Sequence, residues 1–262
     1  MIDLAQYAGF EVQLNPRELS LSFGPGIVTA PVRVRRLADV RPVLRDPDAS
    51  GPDHLYSIYM DVQVPGVAES MRAHGLGYGA VVYNHGSLGE EALRSQGHVH
   101  SVSPSGAGYS ELYEFWHGKG LVYLQDAATP EVTDVIVVAA GPGDKVAIPP
   151  GWAHATVNVG DVPLVFGAVY ALEARLLYEP LRALRGMAHY VLADGSLEPN
   201  PLYRRVPTAR RCAPHRLPGQ GVESGRPALR GDVSRLDFVS RPERHPELWQ
   251  RLVAGEAAGA SR

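Results

Sequence analysis

Between about residues 54 and 170 the chain is a succession of short apolar segments separated by Gly, Pro, Asn and Asp. Such segments, bounded by turn residues, are typical of strands. Many short strands at this spacing predict an antiparallel sandwich or barrel, whereas the strand–helix alternation of a doubly wound fold is missing. We therefore expect an all-β fold. The expected strands are 55–63, 78–84, 93–101, 110–116, 120–125, 133–139, 145–148, 154–158 and 163–171.

Composition limits the classes to which the chain can belong. Its 262 residues, 45% of them apolar, suffice for one large domain with appendages or for two small ones. A net charge of −3 gives no bulk attraction to nucleic acid or anionic lipid, so neither is expected as a partner. The single cysteine, Cys212, excludes an intrachain disulfide and fits a reducing compartment. With no signal-peptide pattern and no apolar run long enough to span a bilayer, we expect a cytoplasmic protein.

Two separated segments carry side chains that suit one metal ion. His98 and His100 are two residues apart on an expected strand, so both imidazoles point to the same face. Glu111 begins the next expected strand, whereas Glu114 has the opposite parity. A Pro-Pro-Gly turn precedes His154 and aims it back at the interior. Three imidazoles and one carboxylate form a ligand set suited to a divalent transition metal.

The same segments resemble the two sequence motifs of the cupin superfamily. Residues 143–158 reproduce the pattern G-x5-P-x-G-x2-H-x3-N at every defined position. The earlier segment has an H-x-H part at His98 and an E-x6-G part at Glu111. Ten residues separate His100 from Glu111, where typical cupins have three or four. The resemblance implies a double-stranded β-helix, that is, a jelly-roll barrel, with N-terminal strands and short C-terminal helical additions.

A narrower resemblance is to the cupin-type phosphoglucose isomerases of archaea and some bacteria. It covers about residues 25–205, which implies an N-terminal extension at 1–24 and a C-terminal tail at 206–262. The tail is rich in Arg, Pro and Gly, so we expect it to be partly disordered, with one short helix at 242–254. The matching stretches are 35–39, 56–59, Gly79, 95–100, 111–113, 118–120, 149–161 and 168–170.

This resemblance implies an aldose–ketose isomerase that acts on sugar phosphates as a homodimer. It also implies one divalent transition metal, which is Fe, Mn, Zn or Ni in that family. The residues that match the metal ligands of the family are His98, His100, Glu111 and His154. The residues that match its substrate contacts are Tyr113, Ser95, Gly97 and Tyr170.

The phosphate pocket of that family is only partly retained. Val81 and Leu176 stand where the family has a threonine and a phosphate-binding histidine, which leaves the exact substrate open. Charge-assisted contacts to phosphate are about twice as strong as neutral ones, so the loss of a cation matters. Arg175 or Arg94 is a candidate replacement, and a surface position without this role is the alternative for each.

Three functions remain as hypotheses. In an isomerase, a metal would act as a Lewis acid on an open-chain hydroxy-carbonyl substrate. Glu111 is then the candidate base and Tyr113 a candidate donor to a substrate oxygen, although a hydride shift needs no base. The first alternative is a cupin dioxygenase or another metal-dependent enzyme that is not an isomerase. The second is a non-catalytic cupin that binds sugar through its metal.

Overall fold

The computed structural model describes residues 1–217, 220 and 222–255. In chain order its strands are β1 (Ile2–Asp3), β2 (Val12–Asn15), β3 (Ser20–Phe23), β4 (Arg33–Arg36), β5 (His54–Tyr59), β6 (Leu76–Tyr83), β7 (Ser87–Leu88), β8 (Glu91–Ala92), β9 (Val99–His100), β10 (Glu111–His117), β11 (Gly120–Gln125), β12 (Val135–Ala140), β13 (Lys145–Ile148), β14 (Ala153–Asn158), β15 (Leu164–Ala171), β16 (Leu176–Leu177), β17 (His189–Val191), β18 (Leu197–Pro199) and β19 (Arg210–Cys212).

The helices are short. They are α1 (Ala5–Ala8), α2 (Leu37–Val40), α3 (Ala68–Ala73), α4 (Glu179–Ala183), α5 (Asp237–Ser240) and α6 (Pro246–Ala254). In the described part of the chain, no helix is both long and apolar enough to cross a membrane. The expectation of an all-β fold with short helical additions is confirmed, because strands build all the central layers.

Two sheets form the centre of the molecule. A six-stranded sheet has the order β13-β10-β15-β6-β5-β4 and is antiparallel throughout. A four-stranded sheet has the order β14-β11-β12-β19, and its β12–β19 pair is parallel. Strand β9 pairs with β16 at one end of these sheets. The predicted antiparallel barrel is therefore found, with a parallel strand added at one edge.

The barrel interior is filled by alternate residues of both sheets. Tyr113 and Phe115 of β10 and Phe166 of β15 share a buried cluster with Val122 and Leu124 of β11. Because successive side chains of a strand point to opposite faces, the residues between them on β10 lie on the outer face. The two faces of the six-stranded sheet therefore pack against two different apolar clusters, one inside the barrel and one outside it.

The segments at both ends of the chain cover the outer face of the six-stranded sheet. Leu112 and Trp116 of β10 are buried in one cluster with Phe10 from the N-terminal segment and with Phe238 and Trp249 from the C-terminal helices. We expected the helix of the tail at 242–254, and the structure has a 3-10 turn followed by α6. Residues 256–262 of the expected tail lie outside the described residues.

A buried ion pair attaches the C-terminal segment to β10 and β13. Lys145 Nζ lies 3.2 Å from Glu114 Oε1, and both side chains are almost fully buried. Lys145 also donates to the carbonyls of Glu223 and Arg226, and the Ala228 N–H donates to Glu114 at 2.7 Å. The described part of the tail is thus ordered by polar contacts, which its Arg-, Pro- and Gly-rich sequence does not reveal.

Candidate metal centre

Four potential ligands come together from both central sheets and from β9. His98 lies just before β9 and His100 is its last residue. Glu111 is the first residue of β10, and His154 lies in β14. One ligand atom from each lies within 4.8 Å of all the others. The four residues that the sequence singled out are therefore brought to one point. Glu114, the rival carboxylate, lies on the other face of β10 with Lys145.

Backbone carbonyls orient two of the imidazoles. The Nδ1 atom of His100 is 3.2 Å from the Tyr109 carbonyl oxygen, and that of His154 is 3.3 Å from the Trp152 carbonyl oxygen. A carbonyl can only accept, so each Nδ1 carries the proton and each Nε2 presents a lone pair. These Nε2 atoms lie 3.5 and 3.4 Å from Glu111 Oε2. The lone pairs therefore converge on the carboxylate side of the cluster.

The cluster has unsatisfied polar atoms that a cation would satisfy. Glu111 Oε2 and His154 Nε2 are buried and have no hydrogen-bond partner among the described residues. An unpaired buried polar group costs about 1–3 kcal/mol, so such atoms are rare without a functional reason. Imidazole nitrogens and a carboxylate oxygen are ligands of divalent transition metals. The cluster could hold one such ion, and the donor set fits Fe, Mn, Zn and Ni alike.

The protonation states suit metal binding. Burial lowers the pKa of His98 far below its usual value, and the neighbouring His154 and His100 lower it further. Burial likewise lowers the pKa of His154. Burial raises the pKa of Glu111, whereas a proton on His100 or His154 would be donated to its carboxylate and lower it, and the net shift is downward. Neutral imidazoles and an ionised carboxylate are the forms that bind metals.

Tyr113 is two residues beyond Glu111 on the same face of β10. Its ring packs on Phe166 with centroids 4.6 Å apart, and it lies 6.1 Å from the His154 ring. Burial and the adjacent Glu111 carboxylate raise the pKa of Tyr113 well above its usual value. The hydroxyl therefore stays protonated and is placed to donate a hydrogen bond beside the cluster.

A cavity of about 730 Å³ contains the cluster. This volume lies in the range that accommodates small-molecule ligands. All three expected substrate contacts beyond β10 line it, namely Ser95, Gly97 and Tyr170. Val81 and Leu176, the two departures from the family pattern, line it as well.

The expected substrate contacts differ in the hydrogen bonds that they already make within the protein. Ser95 Oγ accepts from the Thr156 N–H at 3.1 Å, and Tyr170 accepts from the Asp61 N–H at 3.2 Å. Gly97 has φ +75°, and a Cβ there would lie 3.2 Å from the His154 carbonyl oxygen. Within the described residues, the Gly97 N–H donates to no backbone carbonyl. Glycine at position 97 thus allows the chain to pass close to β14, which carries His154.

The structure contradicts one expected replacement for the missing cation. Arg94 does not line the cavity: it is buried behind the wall, with Nε 3.0 Å from Glu91 and another donor bound to the Val43 carbonyl. Its charge is therefore already compensated. Arg175 does line the cavity and is exposed at its mouth.

Sequence reasoning assigned no role to several polar residues of the cavity. These are Arg33, Arg35, Arg72, Tyr56, Tyr83 and Tyr178. The alternation of Arg33 and Arg35 was the available signal, because residues two apart on a strand share a face. Neither strand β4 nor its pairing with β5 was among the elements expected, so the face to which they belong could not be assigned.

The barrel and its cluster of three histidines and one glutamate define the cupin class. A sequence model of the family described as glucose-6-phosphate isomerase (GPI) matches residues 34–207. The chain belongs to this family, as its sequence resemblance indicated.

Curated relatives agree with this assignment. A glucose-6-phosphate isomerase of Thermococcus litoralis is 30% identical over 200 residues, which are 72% of this chain and 97% of the relative. One of Pyrococcus furiosus is 30% identical over 187 residues, 69% of this chain and 91% of the relative. A putative glucose-6-phosphate isomerase 1 of Rhizobium meliloti is 32% identical over 110 residues, 42% of this chain and 48% of the relative.

Solved structures give a weaker likeness. An oxalate oxidase in complex with glycolate matches with a TM-score of 0.31 and 17% identity, over 41% of this chain and 47% of that chain. A likeness of this size carries no argument about function.

Proposed function

We propose that this protein is a metal-dependent aldose–ketose isomerase of a sugar phosphate, with glucose 6-phosphate and fructose 6-phosphate as the first pair to test. The observation that carries the proposal is the placement of the four potential ligands in the wall of a cavity of small-molecule size. Family membership supports the substrate class, since the relatives are named glucose-6-phosphate isomerases.

The residues of the cluster divide into ligands and groups that act on the substrate. His98, His100, Glu111 and His154 would hold the ion. A divalent ion there supplies Lewis-acid chemistry toward adjacent carbonyl and hydroxyl oxygens of an open-chain substrate. The lowered pKa of Glu111 keeps its carboxylate ionised, as both a ligand and a base must be.

Glu111 and Tyr113 are the proposed proton-handling groups. Isomerisation moves a hydrogen between neighbouring carbons, and the Glu111 carboxylate is the candidate base for that step. Tyr113, protonated because its pKa is raised, would donate to the substrate oxygen on which charge develops. Its position against Phe166 in the buried interior excludes water from this side of the substrate.

A metal-restoration assay tests the proposal. The protein is purified without chelators and its metal content is measured by elemental analysis. It is then assayed for interconversion of glucose 6-phosphate and fructose 6-phosphate with Fe, Mn, Zn or Ni restored. We expect turnover with at least one metal and none after chelation. If no metal supports interconversion, the isomerase proposal is wrong; oxygen uptake with Fe(II) would then favour a dioxygenase, and sugar binding without turnover a binding protein.

A homodimer and a cytoplasmic location complete the proposal. The first rests on the family resemblance, and the second on the single cysteine of the chain, which fits a reducing compartment. Light scattering of the metal-loaded protein tests the first. A mass of twice 28.3 kDa supports a dimer, and a mass of 28.3 kDa refutes it.

A further inference from the structure

Arg35 is a charged side chain in the cavity wall whose hydrogen bonding is incomplete. Its Nε is buried and has no hydrogen-bond partner among the described residues. It lies on β4, at the edge of the six-stranded sheet, and lines the same cavity as the metal cluster. A buried donor on a cation is costly when unpaired, so a ligand that accepts from it is favoured.

The surroundings of Arg35 keep its charge and leave it facing the cavity. Burial disfavours the charged form, but the Tyr178 hydroxyl beside it and the nearby Tyr56 outweigh this and raise the pKa of Arg35. The Tyr178 ring lies 5.7 Å from the His98 ring. One aromatic side chain therefore separates the guanidinium from the metal cluster.

This separation fits a molecule with different groups at its two ends. An open-chain sugar phosphate has its carbonyl at one end and its phosphate at the other. With the carbonyl end at the cluster, the phosphate must reach a cation further along the cavity. Arg35 lines the same cavity, and Tyr178 contacts both Arg35 and the His98 ring of the cluster.

The charges that line the cavity favour an anion. Among the described residues, four arginines line it against two carboxylates, Asp61 and Glu111, although the chain as a whole carries −3. Arg72 Nη2 is 3.1 Å from Asp61, and Glu111 faces the histidines, so both carboxylates are engaged. A cavity wall with one sign of uncompensated charge concentrates anions.

The other arginines are less suited to bind the phosphate. Arg72 is paired with Asp61, and Arg94 lies outside the cavity, paired with Glu91. Arg175 and Arg33 are exposed, so their contacts would be screened by water and salt. Arg35 combines a partly buried guanidinium, a free Nε and a position inside the wall.

We propose that Arg35 binds the phosphate group of the substrate, in a cavity where Leu176 supplies no cation. The inference rests on the proposed function, because it places the substrate carbonyl at the metal cluster. The planar guanidinium offers two parallel donors to a phosphate. Arg35 is then a determinant of specificity for phosphorylated over free sugars.

The experiment compares the wild type with Arg35→Gln and Arg35→Met. Arg36→Gln is the matched control, because Arg36 follows on the same strand, is exposed and contacts Asp53 instead of the cavity. Calorimetry measures the binding of inorganic phosphate to each metal-loaded protein. Steady-state assays measure kcat and KM for fructose 6-phosphate and for fructose, and elemental analysis checks the metal content.

We expect both Arg35 variants to bind inorganic phosphate about 10- to 100-fold more weakly than the wild type, since a charge-assisted contact is lost. Their KM for fructose 6-phosphate should rise by a similar factor, with kcat, kcat/KM for fructose and metal content nearly unchanged. Arg36→Gln should match the wild type throughout. The rise in KM without loss of kcat is a readout that a merely structural role would not give.

Two results would overturn the inference: no phosphate binding by the wild type, or undiminished phosphate binding by both Arg35 variants. Phosphate binding is measured without turnover, so it separates this inference from the proposed function. A wild type that binds phosphate through Arg35 but isomerises nothing refutes the proposed function and leaves Arg35 as an anion-binding residue.

Discussion

His98 and His154 are joined by two backbone hydrogen bonds, from His98 N to His154 O at 3.0 Å and from His154 N to His98 O at 2.9 Å. This local antiparallel bridge holds their rings 4.2 Å apart at the centroids. Two ligands that are distant in the sequence are therefore positioned by the backbone, before any ion contributes.

Removal of one imidazole should abolish metal retention. In His154→Ala the cluster keeps two histidines and Glu111, and loss of a ligand leaves a buried carboxylate with less compensation. We expect less than about a tenth of the wild-type metal content after dialysis and no isomerase activity. Elemental analysis measures the metal content, and His117→Ala is the control, because His117 is the last residue of β10 and its imidazole contacts the Pro163 carbonyl instead of the cluster. Wild-type metal content in His154→Ala would refute the ligand assignment.

Removal of the Tyr113 hydroxyl should affect the chemical step more than binding. A donor that acts on developing charge contributes mainly in the transition state, so Tyr113→Phe should lower kcat about 10- to 1,000-fold with little change in KM. The ring still packs on Phe166, so the thermal midpoint should change little. An unchanged kcat would show that Tyr113 only lines the barrel.

A methyl group at position 97 should disturb the site from the backbone. In Gly97→Ala the residue keeps φ +75°, and its Cβ would lie 3.0 Å from Leu181 Cδ1 and 3.2 Å from the His154 carbonyl oxygen. We expect about 1–3 kcal/mol of destabilisation and weaker metal binding. Gly106→Ala is the control, since φ there is +87° and nothing lies within 4 Å of a Cβ. Equal effects of both substitutions on metal affinity would contradict the packing argument.

His215 should make stability fall in mild acid. It accepts from the Ala147 N–H at 2.8 Å, which requires a neutral ring, and burial lowers its pKa to about 4. In the unfolded chain His215 binds a proton near pH 6.5, whereas in the native state it does so only near pH 4. Because the unfolded state binds the proton first, the free energy of unfolding falls as the pH drops from about 6.5 to about 4. His215→Asn keeps an acceptor without a titratable group.

Denaturant unfolding between pH 4.5 and 7 measures this effect. Relative to the wild type, the pH slope in His215→Asn should decrease, by at most about 1.4 kcal/mol per pH unit for one proton. His85→Asn, at an exposed position, should leave the slope unchanged. Identical slopes for the wild type and His215→Asn would exclude His215 as the source.

The Glu114–Lys145 pair should be costly to break. Lys145→Met leaves a buried carboxylate without its cation, which typically costs about 3–5 kcal/mol. In the double variant Glu114→Gln, Lys145→Met, part of this loss should be recovered, because no buried charge remains. Arg204→Met, which removes an exposed partner of Glu131, should cost no more than about 1 kcal/mol. Denaturant unfolding compares the three, and a small effect of Lys145→Met would contradict the burial argument.

Most strands between residues 54 and 171 and the ligand set were predictable because both follow local periodicity. The expected strand 93–101 is wrong except for β9 (Val99–His100), because Gly97, at φ +75°, interrupts the extended chain. Tyr113 and Glu111 could be placed on one face by counting residues along β10, and Glu114 on the other. The attachment of the tail was not predictable, since Lys145 reaches backbone carbonyls of Glu223 and Arg226, and a carbonyl has no sequence signature. The role proposed for Arg35 depends on which face of the edge strand β4 faces the cavity, and this is determined by tertiary packing and not by the local sequence.

The origin of the ligands in both sheets ties metal affinity to barrel closure. A chain in which β10 and β14 have separated cannot bring Glu111 and His154 to one ion, so only the closed barrel binds it with all four ligands. Any ion that binds the native state alone raises the free energy of unfolding by an amount that grows with its concentration over its Kd. The availability of metal in the surroundings then shifts the equilibrium between the folded and the unfolded protein.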